Sequence, residues 1–166
     1  MRVDTSIPRA TSQPVRAEAA GETLRHPVIV AMLVLWFIND HFLKEAFANE
    51  LTGKLSDVAG LAVFPLVPLV AYEVLCALRL KAPRHRNGVL LGAMIATGLV
   101  MVGINIWDSW ADAYRIGLAA LQWPWIAFVD VLSGGQVRDL QPVFLTMDPT
   151  DAFTLPALLI PWWVAR

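Results

Sequence analysis

Residues 57–80 read DVAGLAVFPLVPLVAYEVLCALRL. Between Asp57 and Arg79 this run carries a single charged side chain, Glu73. It is longer than the roughly 20 residues a helix needs to cross the hydrocarbon of a bilayer. Pro65 and Pro68 lie inside it. In a membrane helix such prolines kink the chain rather than end it, because neighbouring helices re-satisfy the freed carbonyls. The run therefore sets the fold class: an all-α, polytopic membrane helix bundle.

Working outward, three more stretches qualify, giving about four transmembrane helices. The first is 27–47, where Pro27 suits a first helical turn and Val28 to Ile38 is uninterrupted apolar sequence. That core is too short to cross alone, so the helix has to continue through Asn39, Asp40 and His41. The third span is 88–107, in which Gly88, Gly92 and Ala96 recur every four residues, a stripe that lets another helix approach closely. The fourth is 150–165, barely long enough, ending in Trp162 and Trp163. Between the third and fourth, 108–147 reads as an interfacial helical segment rich in Trp and broken by Pro124 and Gly134-Gly135. A fifth span at 116–132 is the alternative. Ser56 and Asp57 are the expected N-caps of the second span. Residues 1–25 are polar and read as a mobile cytoplasmic tail, and residues 26–166 as the transmembrane domain.

Composition agrees. Of the 166 residues 57% are hydrophobic, 16% are charged, and the net charge is −1. Mean hydropathy is +0.55. A balance so near neutral supplies no field to recruit nucleic acid. Seven Trp is many for this length, and Trp gathers at membrane–water boundaries. The lone Cys76, in an apolar run, reads as a small buried hydrophobe.

Short cytoplasmic loops are enriched in Lys and Arg. The densest basic cluster is Arg79, Lys81, Arg84, His85 and Arg86. Placing it in the cytoplasm puts the Arg-bearing tail and Arg166 there too, so both termini are expected inside. The opposite face then collects Asn39, Asp40, His41 and Lys44 from span one, Lys54 and Asp57 from span two, Asn105 and Asp108 from span three, and Asp148 and Asp151 from span four. Charges at the edge of lipid have to face inward or reach water, which makes this group the expected site. Asp40 and Lys44 are four apart and read most simply as an ion pair; Asp57 and Asp151 sit where caps sit. In the chemical version Asp40, His41, Asp57 and Asp151 hold a divalent metal or act as acid and base, while Asn39, Lys44, Lys54, Asn105, Asp108 and Asp148 bind. Glu73, deep in span two, needs a partner or a protonated state; Arg79 or Lys81 is in reach by snorkelling, and a role in ion movement is the sharper alternative.

The stretches Asn39-Asp40-His41-Phe42-Leu43-Lys44, Leu51-Thr52-Gly53-Lys54-Leu55-Ser56-Asp57-Val58-Ala59-Gly60-Leu61 and Asp148-Pro149-Thr150-Asp151 resemble a pattern of small uncharacterised bacterial polytopic membrane proteins. The resemblance implies a bacterial inner membrane and carries no activity with it. Gly-rich phosphate loops, nucleophile elbows and His-Glu-x-x-His are missing from the sequence. The expected function is a binding or accessory membrane protein, partnered by lipid and by another membrane protein or a second copy. A metal-dependent hydrolase or transferase acting on a lipid or envelope substrate, and a small transporter, are the alternatives.

Overall fold

The computed structural model describes residues 20–47 and 49–166, and among these it is helical with no strand. The tail expected over 1–25 lies, up to residue 19, outside the described residues. Four helices are long and apolar enough to cross a membrane: α1 (Pro27–Phe47), α2 (Glu50–Leu78), α3 (Arg86–Ile106) and α4 (Asp108–Leu132). A 3₁₀ helix, Pro149–Leu158, runs into a short final helix α5, Leu159–Val164.

Local chemistry sets these limits. His26 caps α1, its Nδ1 accepting from the amide of Val28 at 3.3 Å, with Pro27 at the first helical position. At Asn39–Leu43 the helix widens into a π turn. That turn brings Asn39 wholly inside while Ile38 and Asp40 on either side stay exposed. The cap of α2 is Asn49, not Ser56 or Asp57: its Oδ1 accepts from Thr52 N at 3.0 Å, and Thr52 Oγ1 donates back to Asn49 O at 2.7 Å. The helix so begins seven residues before the expected Asp57, and Lys54, Ser56 and Asp57 all ride on its first two turns. Pro65 bends α2, where the ladder lapses between Val63 and Leu66.

The chain runs up and down between two ends. The end marked by Arg86 gathers Glu22–Arg25, the start of α1, Glu73 of α2, the start of α3 and Ala165. The end marked by Lys54 gathers Asn39, the start of α2, Asn105 and Asp148–Asp151. The C-terminal segment 149–164 touches both, although it is only sixteen residues long (149–164). Its 3₁₀ portion explains the reach: at about 2.0 Å of rise per residue against about 1.5 Å in an α-helix, the segment covers roughly 29 Å, the thickness of the hydrocarbon. It also enters the core, where Ile29, Val63, Leu66, Leu69, Leu90, Met94 and Ala165 are packed with Leu158, Ile160, Trp162 and Val164.

The Gly88-Gly92-Ala96 stripe does not serve as expected. An added Cβ at Gly88 or Gly92 would meet nothing within 4 Å. Close approach occurs instead at Gly98, where a Cβ would come to 3.1 Å from Leu158, and at Gly103, where it would run into the Trp110 ring.

Segment 108–147, expected as interfacial, is a continuous 25-residue helix followed by an extended return. The return lies back along α4: Trp123 Nε1 donates to Arg138 O at 2.9 Å, Arg138 pairs with Asp130 at 2.8 Å, and Arg115 donates to Leu145 O at 2.8 Å.

Candidate functional site

Two polar networks meet at the Lys54 end. The first joins α1 to α2. Asn39 Nδ2 donates to Thr52 O at 2.6 Å and to Ser56 Oγ at 2.9 Å. Ser56 Oγ in turn donates a hydrogen bond to Asp40 Oδ1, and Asp40 also pairs with Lys44 at 2.7 Å. The expected Asp40–Lys44 pair is therefore present, and Ser56, read from sequence only as a cap, is the hinge of the network. Asn39 Oδ1 is buried with no donor among the described residues. Turning the amide over would set its oxygen against Thr52 O, so the present orientation is the one the surroundings select.

The second network ties α2, α3 and the C-terminal segment. Asn105 Nδ2 donates to Met101 O at 3.0 Å, which turns its Oδ1 to accept the amide of Asp148 at 2.9 Å. Asp148 Oδ1 then caps the 3₁₀ helix by accepting from the amide of Thr150 at 2.8 Å and from its hydroxyl at 2.7 Å. Lys54 Nζ donates to Thr150 Oγ1 at 2.8 Å, to Asp151 Oδ1 at 3.1 Å and to Asp148 Oδ2 at 3.4 Å. Hydrogen bonds from Thr150, reinforced by Lys54, hold the Asp148 carboxyl below the usual aspartate range. Asp57, one turn beyond Lys54 and half-buried, lies close enough to Asp151, Lys44, Lys54 and Asp148 to feel their charges. Two carboxylates, Asp148 and Asp151, thus flank the Lys54 ammonium, with Asp57 in the same electrostatic neighbourhood, while the neighbouring Asp40–Lys44 pair is balanced.

Most of the expected residues meet here: Asn39, Asp40, Lys44, Lys54, Asp57, Asn105, Asp148 and Asp151. His41 does not join them. Its Nδ1 bonds Phe37 O at 2.9 Å and its ring stacks on Phe37 with centroids 4.3 Å apart, on the exposed side of the π turn. Asp108 is exposed at the start of α4, outside both networks. Among the described residues no three His, Cys, Asp or Glu side chains are grouped to hold a metal ion.

At the Arg86 end a separate network closes around Glu73, which is only 7% exposed. Its partner is Arg86, at 2.8 Å, rather than the expected Arg79 or Lys81. Glu73 also accepts the amide of Gly21 at 2.9 Å, and Arg86 donates to Thr23 Oγ1 at 2.7 Å and to Ala165 O. Arg79 and Lys81 follow Glu73 on the same chain, but α2 ends at Leu78 and turns them away; only the first residue of α3 comes back over the carboxylate.

No protein-family model, no curated protein and no solved structure matches this chain.

Proposed function

We propose that the chain is a multi-pass bacterial inner-membrane protein that binds rather than catalyses, and that its Lys54 end, turned outward, accepts a primary ammonium group from a lipid headgroup or a partner protein. One observation carries this. Asp148 and Asp151 flank the single Lys54 ammonium, and Asp57 lies near enough to feel their charges, so negative charge exceeds positive there. A primary ammonium brings both positive charge and N–H donors, which a quaternary one does not. The basic residues of the Arg86 end support the orientation, since Lys and Arg are retained on the cytoplasmic side. His41 and Asp108 stand apart, which weakens the metal-dependent hydrolase reading. Glu73, already paired and hydrogen-bonded, weakens the transporter reading.

A second reading has its own support: all three Lys54 donors are taken by protein acceptors, so the cluster could serve only as a clamp on the C-terminal segment. Nanodiscs separate the two. The binding reading expects enrichment of phosphatidylethanolamine over phosphatidylcholine in lipid co-purified with the wild type, and loss of that enrichment in Asp57→Asn with thermal stability retained. Equal retention of the two lipids, unchanged by Asp57→Asn, leaves only the clamp.

A further inference from the structure

α4 is an amphipathic helix worn inside out. Its polar side chains Asp112, Arg115 and Asp130 lie on the side covered by the returning segment: Arg115 and Asp130 each bond that segment directly, and Arg115 pairs with Asp112 at 2.6 Å. Beyond Trp110, whose ring packs on Gly103 of α3, the opposite side is bare. Leu121, Trp125, Phe128 and Leu132 are 78%, 68%, 51% and 71% exposed. At 100° per residue these four fall within one sector of the helix, away from Asp112, Arg115 and Asp130.

The return settles how such a helix can meet lipid. Of the backbone amides between Gln136 and Met147, only Arg138 and Val143 donate a hydrogen bond to another described residue, to Asp130 and to Arg115 O. The others need water. In hydrocarbon each unsatisfied amide costs several kcal/mol, which is why extended chain does not lie in lipid unless protein or water covers it. A helix carrying this strap along its length cannot stand across a bilayer with the strap immersed, although its length and apolarity would allow it.

We infer that α4 and the return 133–147 form a hairpin lying in the plane of the membrane at the Lys54 end, bare face seated at the headgroup–acyl boundary and strap turned to water. The joint fits: α3 ends at Ile106, a single extended residue, Trp107, turns the chain, and the exposed Trp107 and Trp125 supply aromatic rings of the kind expected at that depth. The occupant of the bare face is the lipid surface itself. The inference rests on the chain crossing a bilayer and not on the ammonium site.

Spin labels test it in reconstituted protein, in a Cys76→Ala background with Leu121→Cys, Phe128→Cys and Leu140→Cys made singly. Collision with oxygen and with a water-soluble nickel complex reports depth. The expected result is Leu121 and Phe128 at one common depth, within about 5–10 Å below the headgroup boundary, and Leu140 open to the nickel complex. A Leu121 label near the bilayer centre with Phe128 nearer the far surface would overturn the inference in favour of a crossing helix. Labels at Leu121 and Phe128 shielded from both reagents would overturn it in favour of a protein partner or a second copy on that face.

Discussion

On the hairpin inference, α4 and the C-terminal segment exchange the roles their lengths suggest. α4 has 25 residues in unbroken helix, and only 6% of its most apolar window is buried inside the protein. The 3₁₀ helix and α5 together are shorter, are punctuated by Pro149, Pro156 and Pro161, and yet run through the core and are held at both ends. Lys54, with Asn105, fixes one end of the segment, and Arg86 fixes the other by bonding Ala165 O. Length and apolarity qualify a helix to cross a membrane; what threads a bundle is decided by which segment finds polar partners at both boundaries and leaves no backbone group unpaired between them.

The contrast breaks most completely at Arg86. Its guanidinium joins α2, α3, the residues before α1 and the C-terminal segment, and it faces a buried carboxylate. Arg86→Ala leaves Glu73 uncompensated, and removing one partner of a buried pair costs about 3–5 kcal/mol. Denaturation in detergent should show that loss, and adding Glu73→Gln should recover part of it. Full stability in Arg86→Ala would mean that the C-terminal segment is not held there.

Next comes the α3–α4 joint. Gly103→Leu drives a side chain into the Trp110 ring, and overpacking of this kind costs about 1–3 kcal/mol; Trp110→Ala should relieve it. Gly92→Leu, opening onto empty space, should change thermal stability by less than about 0.5 kcal/mol. Equal effects at the two glycines would show that a further helix covers the Gly92 stripe.

A smaller effect is expected at Lys54, whose ammonium is partly open to solvent. Lys54→Met should lower stability less than Arg86→Ala or Gly103→Leu, as for partly exposed pairs, and should speed amide exchange over 149–158 more than elsewhere. Acid acts on the same tether. The Asp148 carboxyl sits below its ordinary value of 3.8 in the folded protein, so its contribution is present above that value and is lost as pH falls through the lower folded one. Exchange over 149–158 that is indifferent to acid well below 3.8 would remove Asp148 from the tether.

Much of this was legible in the sequence. The apolar runs and the sorting of charge to two boundaries were readable because lipid penalises misplaced charge strongly and at every residue. The gathering of Asn39, Asp40, Lys44, Lys54, Asp57, Asn105, Asp148 and Asp151 followed from depth alone. Helix rotation was not readable. In water a helix shows its inner face by its apolar stripe, but a helix in lipid is apolar all round, so nothing in Gly88-Gly92-Ala96 announced that it faces outward while Gly98 and Gly103 face in. The partner of Glu73 was missed for a related reason: Arg79 and Lys81 are nearer in sequence, and only the turn into α3 decides that Arg86 returns. Asn49 was overlooked as a cap because Ser56 and Asp57 stand immediately before the apolar run, where caps usually stand.

The side of the membrane on which Ser133, at the tip of α4, emerges separates a surface hairpin from a crossing helix in one experiment. In a Cys76→Ala background, Ser133→Cys, Glu50→Cys and Arg84→Cys are exposed singly to a membrane-impermeant maleimide from each side of oriented vesicles. Ser133 should react from the same side as Glu50 and opposite to Arg84. Reaction of Ser133 only from the Arg84 side would show that α4 crosses, and would contradict the assignment of the fourth crossing to the C-terminal segment.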